Sequence, residues 1–307
     1  MTDLRSAAHD YLTVRRQLGF ELKHPGRTLE DFVEFMQRAG AERVTTELAV
    51  RWATSVQAHP YRWRRRLGVV RGFARYLSTI DPATEIPPED LLPASLPRVA
   101  PYLYSPAEIQ ALMAAARALS PRIRAATFET VIGLLAVTGL RPGEALGLDR
   151  ADVDLSASTL HVRAAKQNKH REVPLHDTTT IALREYSRLR DRHLPAATSS
   201  AFFVSPQGAR LSAAAFHATF VKLIGQVGLE GAGERTRPRA HDIRHSFAVR
   251  TLIDWYQAGE NVDAKLPLLS TFLGHVDPAS TYWYLQASPE LLALVRDRLE
   301  HAAGEQS

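Results

Sequence analysis

Residues 241–245 read His-Asp-Ile-Arg-His, HDIRH, two histidines four positions apart with an acid directly after the first. The pattern falls one residue type short of H-E-x-x-H, in which two histidines of one helix hold zinc and the glutamate serves as base. On a helix, 241, 244 and 245 share a face, because residues three and four apart are neighbours. Zinc held by His241 and His245 would therefore lie beside the guanidinium of Arg244, a permanent cation next to a dication. Asp242 is also one methylene shorter than the glutamate of the zinc motif. A phosphate fits this face better, since Arg244 offers a planar fork of donors and an imidazole can move a proton. The pentapeptide predicts an anion site without a metal, and further cations should converge on it.

Candidates lie on both sides. TGLRPGEALGLDRADVDL, 138–155, places Arg141 at the start of a short helix with Glu144 one turn on, able to hold the arginine in place. AAKQNKHREVPL, 164–175, places Lys166 and Lys169 on the turn of a predicted strand pair. LLSTFLGHVDPASTYWYL, 268–285, supplies His275 after a Leu-Gly helix end, then Tyr282 and Tyr284. Taken singly, each has an ordinary alternative: a surface ion pair, a solvated turn, packing residues.

The bulk composition narrows the class. The chain has 307 residues, 45% hydrophobic and 23% charged, which fits a globular protein of two domains. No apolar run approaches the roughly 20 residues that span a bilayer, and the N-terminal stretch lacks the pattern of a secretion signal. Without cysteine, disulfides, thiolate zinc sites and cysteine nucleophiles are excluded, and a reducing, cytoplasmic location is expected. The net charge of +5 hints only weakly at a polyanion, so the placement of the bases matters more.

Residues 1–80 read as a helical domain. Leu4, Ala8, Tyr11, Leu12, Arg15 and Leu18 recur at helical spacing before Gly19, and Leu29, Phe32, Val33 and Met36 repeat the pattern before Gly40. A third helix is predicted around Glu47–Val56. A fourth, YRWRRRLGVVRGFARYL, puts Trp63, Leu67, Val70, Ala74 and Leu77 on one face, with Arg64, Arg71 and Arg75 in a stripe beside it. Six arginines and no acid between 61 and 75 point to contact with a DNA backbone rather than a merely solvated face. Trp63 reads as core. Residues 81–103 are rich in proline and read as an extended linker. Ser105, Pro106 and Glu108 then form a helix start, opening a second domain over 104–307. It is predicted mostly helical, with helices at about 178–193 and 212–228, a small antiparallel sheet, and a helical 241–303 broken near GENVDAKLP and GHVDP. The fold class is mainly α, of the α+β kind.

In this order and context, T-G-L-R-x-x-E, K-x-N-K-x-R-x-V-P-L, H-x-x-R-H-S-F-A, L-G-H and a tyrosine nine residues further on resemble the tyrosine recombinase (phage integrase) family. The resemblance covers about 104–290; the helical first domain is similar in kind to that family's core-binding domain. It implies that Arg141 and Arg244 grip the scissile phosphate and that Lys166 protonates the leaving 5′ oxygen. It further implies that His241 acts as acid or base, that His275 hydrogen-bonds the phosphate, and that Tyr284 is the nucleophile. Glu144 fills an acidic supporting position, and His245 a position that supports its helix.

The chemistry agrees. A phenol with pKa about 10 attacks poorly unless its anion is stabilised. Two guanidinium groups stabilise the developing phosphorane, and a turn lysine can supply the leaving group's proton. A 3′-phosphotyrosine with a free 5′ hydroxyl conserves the bond energy, so the resemblance implies no metal, no ATP and no other cofactor. Tyr282 and Tyr284 lie about 200° apart on a helix, and the nine-residue spacing from His275 selects Tyr284. Double-stranded DNA is the implied partner, bound by a homotetramer on paired sites. The amphipathic SPELLALVRDRLEHA, 288–302, would dock on a neighbour or close its own domain. Related alternatives are a transposon recombinase acting with partner recombinases, a type IB topoisomerase-like enzyme acting alone, and a DNA-binding protein without catalysis. The segment DWYQAGENVDAKLP, between the H-x-x-R-H and L-G-H motifs, is long for the family.

Overall fold

The computed structural model describes residues 3–93, 101–163, 170–195, 199–229, 237–274, 279–282, 284, 291 and 292. Two compact units divide the chain between Arg98 and Val99. The first contains α1 (Leu4–Gln17), α2 (Lys23–Arg38), α3 (Thr46–Thr54) and α4 (Pro60–Leu77). Their apolar stripes meet in one core of Leu12, Leu29, Phe32, Met36, Trp52, Leu67, Val70 and Phe73. Asp3 caps α1 and Thr45 caps α3, each side chain accepting backbone N–H groups of the first turn. α2 starts six residues before the periodic stretch from Leu29, because Pro25 is tolerated within a first turn that needs no N–H of its own. Leu18, expected on the inward face of α1, is exposed beyond the helix end. Trp63 is half-buried against the core, and its indole N–H donates to the Val56 carbonyl at 2.9 Å.

The proline-rich stretch does not run free of this unit. Arg71 donates from Nε to the carbonyl of Pro87 and from Nη2 to that of Pro88, both at 2.8 Å. Arg75 pairs with Glu89 at 3.1 Å, and Arg64 lies 3.5 Å from the Leu92 carbonyl. The first part of the expected linker is thus fastened along α4, and Leu92 joins the first core.

The second unit begins with α5 (Pro106–Arg117), where Ser105 and Glu108 exchange the expected reciprocal bonds. α6 (Arg122–Thr138) is its central helix, with Ile123, Phe128, Val131, Ile132, Leu134 and Leu135 all buried. After α7 (Pro142–Gly147) and one 3-10 turn come three strands: β1 (Val153–Asp154), β2 (Thr159–Arg163) and β3 (His170–Pro174). They form an antiparallel sheet in the order β1-β2-β3, with Leu160 opposite Val173 and Val162 opposite Arg171. α8 (Asp177–His193), α9 (Ala213–Gln226), α10 (Asp242–Gln257), α11 (Val262–Leu273) and the short α12 (Ala279–Tyr282) complete the described residues. The mainly helical fold with a small antiparallel sheet is as the sequence predicts.

One boundary differs. The expected break across GENVDAKLP shrinks to a few residues, because Asn261 caps α11 by accepting the Ala264 N–H at 3.2 Å, and Pro267 lies inside the helix. No described helix is long and apolar enough to cross a membrane.

Candidate active site

The C-terminal end of α11 is the frame of the site. The last carbonyls of a helix have no partner within it, and the negative end of the helix dipole lies there. Three consecutive carbonyls at this end each accept from a different arginine. Phe272 accepts from Arg171 Nε at 3.0 Å, Leu273 from Arg244 Nη2 at 2.7 Å, and Gly274 from Arg141 Nη2 at 3.3 Å. Three guanidinium groups from β3, α10 and the start of α7 are thereby gathered at one helix end.

Two glycines make this possible. Gly139 ends α6 at φ +59°, and a Cβ there would stand 2.5 Å from the Phe247 ring and 2.9 Å from Leu273. Its carbonyl accepts from Arg244 Nη1 at 2.8 Å. Gly274 ends α11 at φ +67°, where a Cβ would stand 2.6 Å from Arg171 Nη1. Both positions combine a left-handed backbone with close approach, so only glycine fits.

Arg244 is 1% exposed. Burial, together with the neighbouring Arg141, lowers its pKa to about 10, so it remains a cation at neutral pH. Arg141 caps α7; its N–H and Nη1 donate to Glu144 Oε2 and Oε1 at 2.9 and 2.8 Å. Glu144 also accepts from Arg171 Nη1 at 3.1 Å and Nη2 at 2.8 Å. Burial would raise its carboxyl, but the bonds from Arg171 and Arg141 overcome that and hold it at about 2. It is a fixed anion between two cations.

Tyr284 is 2% exposed and packs with Ala248, Leu252, Leu269 and Leu273. Its phenol is hydrogen-bonded to Arg244, and its ring centroid lies 5.4 Å from that of His245. Burial raises the phenol's pKa, with Arg244 and Arg141 pulling against it. Tyr282 is 53% exposed. His241 is at the start of α10, its ring 5.0 Å from that of His245. Desolvation and the charge of Arg244 lower the His241 pKa, and burial with His241 beside it lowers His245 to about 4. Both rings are neutral near pH 7.

The structure therefore brings together Arg141, Glu144, His241, Arg244 and Tyr284. Lys166, Lys169 and His275 lie outside the described residues, as do 288–290 and 293–302 of the expected terminal helix. Arg64, Arg71 and Arg75 belong to the first unit and engage its own segment 87–92. The hairpin motif by itself gives Arg171 no role, although strand alternation points to one. In β3 it shares a face with the buried Val173, while His170, Glu172 and Pro174 face solvent. A charge on the core face of a strand calls for a partner.

Comparison with known proteins places this arrangement. The profile of the phage integrase family matches residues 103–290. The chain belongs to that family, the tyrosine recombinases. It is 45% identical to the Sinorhizobium fredii integrase/recombinase-type protein y4rB, over 98% of each chain. It is 31% identical to the tyrosine recombinase XerC of Azotobacter vinelandii, across 76% of this chain and 72% of that one. The fold of this recombinase resembles that of the Tn1549 transposon integrase, solved in complex with transposon right-end DNA. The TM-score is 0.66 at 17% identity, covering 97% of this chain and 99% of the other. Members of the family cleave and rejoin DNA.

Proposed function

We propose that the chain is a site-specific DNA recombinase, or integrase, that exchanges strands through a 3′-phosphotyrosine intermediate. The observation that carries this reading is the Tyr284 phenol, buried in its own chain and hydrogen-bonded to Arg244, with Arg141 close enough to bias its ionisation. A scissile phosphate held by Arg141 and Arg244 would have its non-bridging oxygens on two preorganised guanidinium groups. Tyr284 Oη attacks phosphorus, the phosphorus–O5′ bond breaks, and the strand leaves with a 5′ hydroxyl. The phenol's raised pKa keeps its proton on until the phosphate arrives, and neutral His241 is suited to accept it. Lys166 is proposed to protonate the leaving oxygen, and His275 to hydrogen-bond the phosphate. Rejoining runs the steps in reverse with the 5′ hydroxyl of another strand, and the phosphotyrosyl bond stores the energy, so ATP and metal have no step to fill.

For the duplex outside the cut, Arg64, Arg75 and Lys169 are proposed phosphate contacts. Arg71 is proposed to serve that surface by holding residues 87 and 88, since its guanidinium already engages their carbonyls. Four copies acting on two paired sites is the proposed assembly, in a nucleoid-associated cytoplasmic protein.

A duplex nicked beside the cleavage point, so that the freed end diffuses away, traps the intermediate. The expected result is a covalent protein–DNA adduct, stable to denaturation, that is absent in Tyr284→Phe and present in Tyr282→Phe. An adduct that persists in Tyr284→Phe would refute the assignment. Undiminished adduct formation in the presence of chelator is expected alongside.

A further inference from the structure

Arg171 is 12% exposed at its side chain and makes three bonds to two separate segments. Its two Nη groups meet the two oxygens of Glu144 in a fork, and its Nε meets the Phe272 carbonyl. Glu144 in turn meets Arg141 with the same two oxygens. A carboxylate offers about four lone-pair sites, and all four are occupied, two by each arginine. Rotation of Glu144 would break a bond to both, so the orientation of Arg141 follows from that of Arg171.

We propose that Arg171 is a positioning residue for the phosphate-binding Arg141, acting through Glu144, and that it ties the hairpin bearing Lys166 to the end of α11 that precedes His275. The inference rests on the role of Arg141 in phosphate binding given above. Geometry supports it from both directions. Arg171 lies five residues after Lys166 in the sequence, on β3, and its guanidinium packs against Gly274, the residue before His275. Three parts of the site, 27 and 101 residues apart along the chain, are held in register by one side chain. The charged groups that face Glu144 are Arg141, Arg171 and, through space, Arg244. With Arg171 gone, burial is opposed by fewer cations, and the Glu144 carboxyl moves up from about 2.

The test compares the parent chain with Arg171→Ala, Arg171→Lys and Gly274→Ala in adduct formation on nicked DNA, against pH. A displacement of about 1 Å in a positioning group costs on the order of 100-fold, and that loss is expected in Arg171→Ala at pH 7 with DNA affinity within twofold of the parent. The rate ratio of parent to variant should widen as the pH falls from 7 to 5, because protonated Glu144 releases Arg141. Lysine restores charge but no fork, so Arg171→Lys should recover only part of the rate. Gly274→Ala, whose Cβ displaces Arg171 without removing a charge, should slow cleavage in the same sense. Adding Glu144→Gln to Arg171→Ala should cost less than Glu144→Gln costs the parent chain, and should remove the widening of the ratio with pH. A ratio constant with pH, or losses that simply add, would mean that Arg171 only staples the hairpin, and overturns the proposal. NMR of the Glu144 carboxyl and the Arg141 guanidinium reads the same coupling without DNA. An unchanged Glu144 titration and unchanged Arg141 N–H exchange in Arg171→Ala also overturn it. No adduct in the parent would instead refute the function, leaving the NMR result to decide the pairing.

Discussion

At the scale of single residues, the site works by making cations share helix carbonyls before any phosphate is present. Arg244 bonds two backbone oxygens and the Tyr284 phenol, so its charge is aimed without waiting for a ligand. Preorganisation of this kind stabilises developing charge without reorganising at the moment of reaction. Neutral histidines are the other half of the arrangement, and they carry a pH cost for the fold. His245 has its pKa lowered to about 4, by burial first and then by His241, against about 6.5 in an unfolded chain. Between those values the unfolded chain holds a proton that the folded one rejects, so stability rises with pH across the window and is lost as pH falls through it. We expect the second unit to lose on the order of 2 kcal/mol between pH 6.5 and 4 relative to a His245→Asn chain, measured by urea unfolding at each pH. A difference between the two chains that stays flat with pH would sink this account. At this scale much of the site is legible in sequence. Arg141, Glu144, Arg244 and Tyr284 stand in short motifs whose spacing implies a shared face or a fixed order. Arg171 is not legible that way, because its meaning depends on Glu144, 27 residues earlier, and on a carbonyl 101 residues later.

Among the elements, α4 shows how periodicity can place a charge stripe without showing which backbone groups its side chains hold. The arginine stripe is where periodicity puts it, beside the core face of Leu67, Val70, Ala74 and Leu77. A proline-rich segment reads as an extended linker because prolines lack N–H groups and resist helix. Their carbonyls remain acceptors, and those of Pro87 and Pro88 take Arg71. Composition cannot show such a fastening, because it joins a side chain to a backbone oxygen. α11 is a similar case: a Gly-Glu-Asn run and a proline suggest a break, but Asn261 supplies a cap and the helix accommodates Pro267 at the loss of one bond. Arg71 and Arg75 of α4 should separate cleanly. Arg75→Gln is expected to reduce the slope of log affinity against log salt by about 0.9, the value of one lost phosphate contact, and to leave stability within about 0.5 kcal/mol. Arg71→Gln is expected to lower the stability of the first unit by about 1–3 kcal/mol, because two carbonyls lose a charged donor, with little change in the salt slope. Reversed outcomes would show Arg71 on the DNA and Arg75 in the fold.

For the molecule as a whole, the charge budget is small: 38 basic residues against 33 acidic ones give a net +5. Affinity for DNA has to come from where the bases stand, since counterion release counts local phosphate contacts. The chain forms two compact units with separate cores, and the chemistry proposed for Tyr284 is reversible. A lone copy would cut and reseal the same strand, relaxing supercoils. Exchange between partners requires that several copies meet on two duplexes, so the number of copies bound distinguishes a recombinase from a topoisomerase-like enzyme. Mass photometry of the Tyr284→Phe chain on DNA carrying its site should reveal two copies per duplex, then a complex of four copies and two duplexes as concentration rises. Binding should be cooperative, with the second copy entering more tightly than the first. Independent binding of single copies at every concentration, together with supercoil relaxation by the parent chain, would replace strand exchange with relaxation as the function of the same phenol and the same arginines.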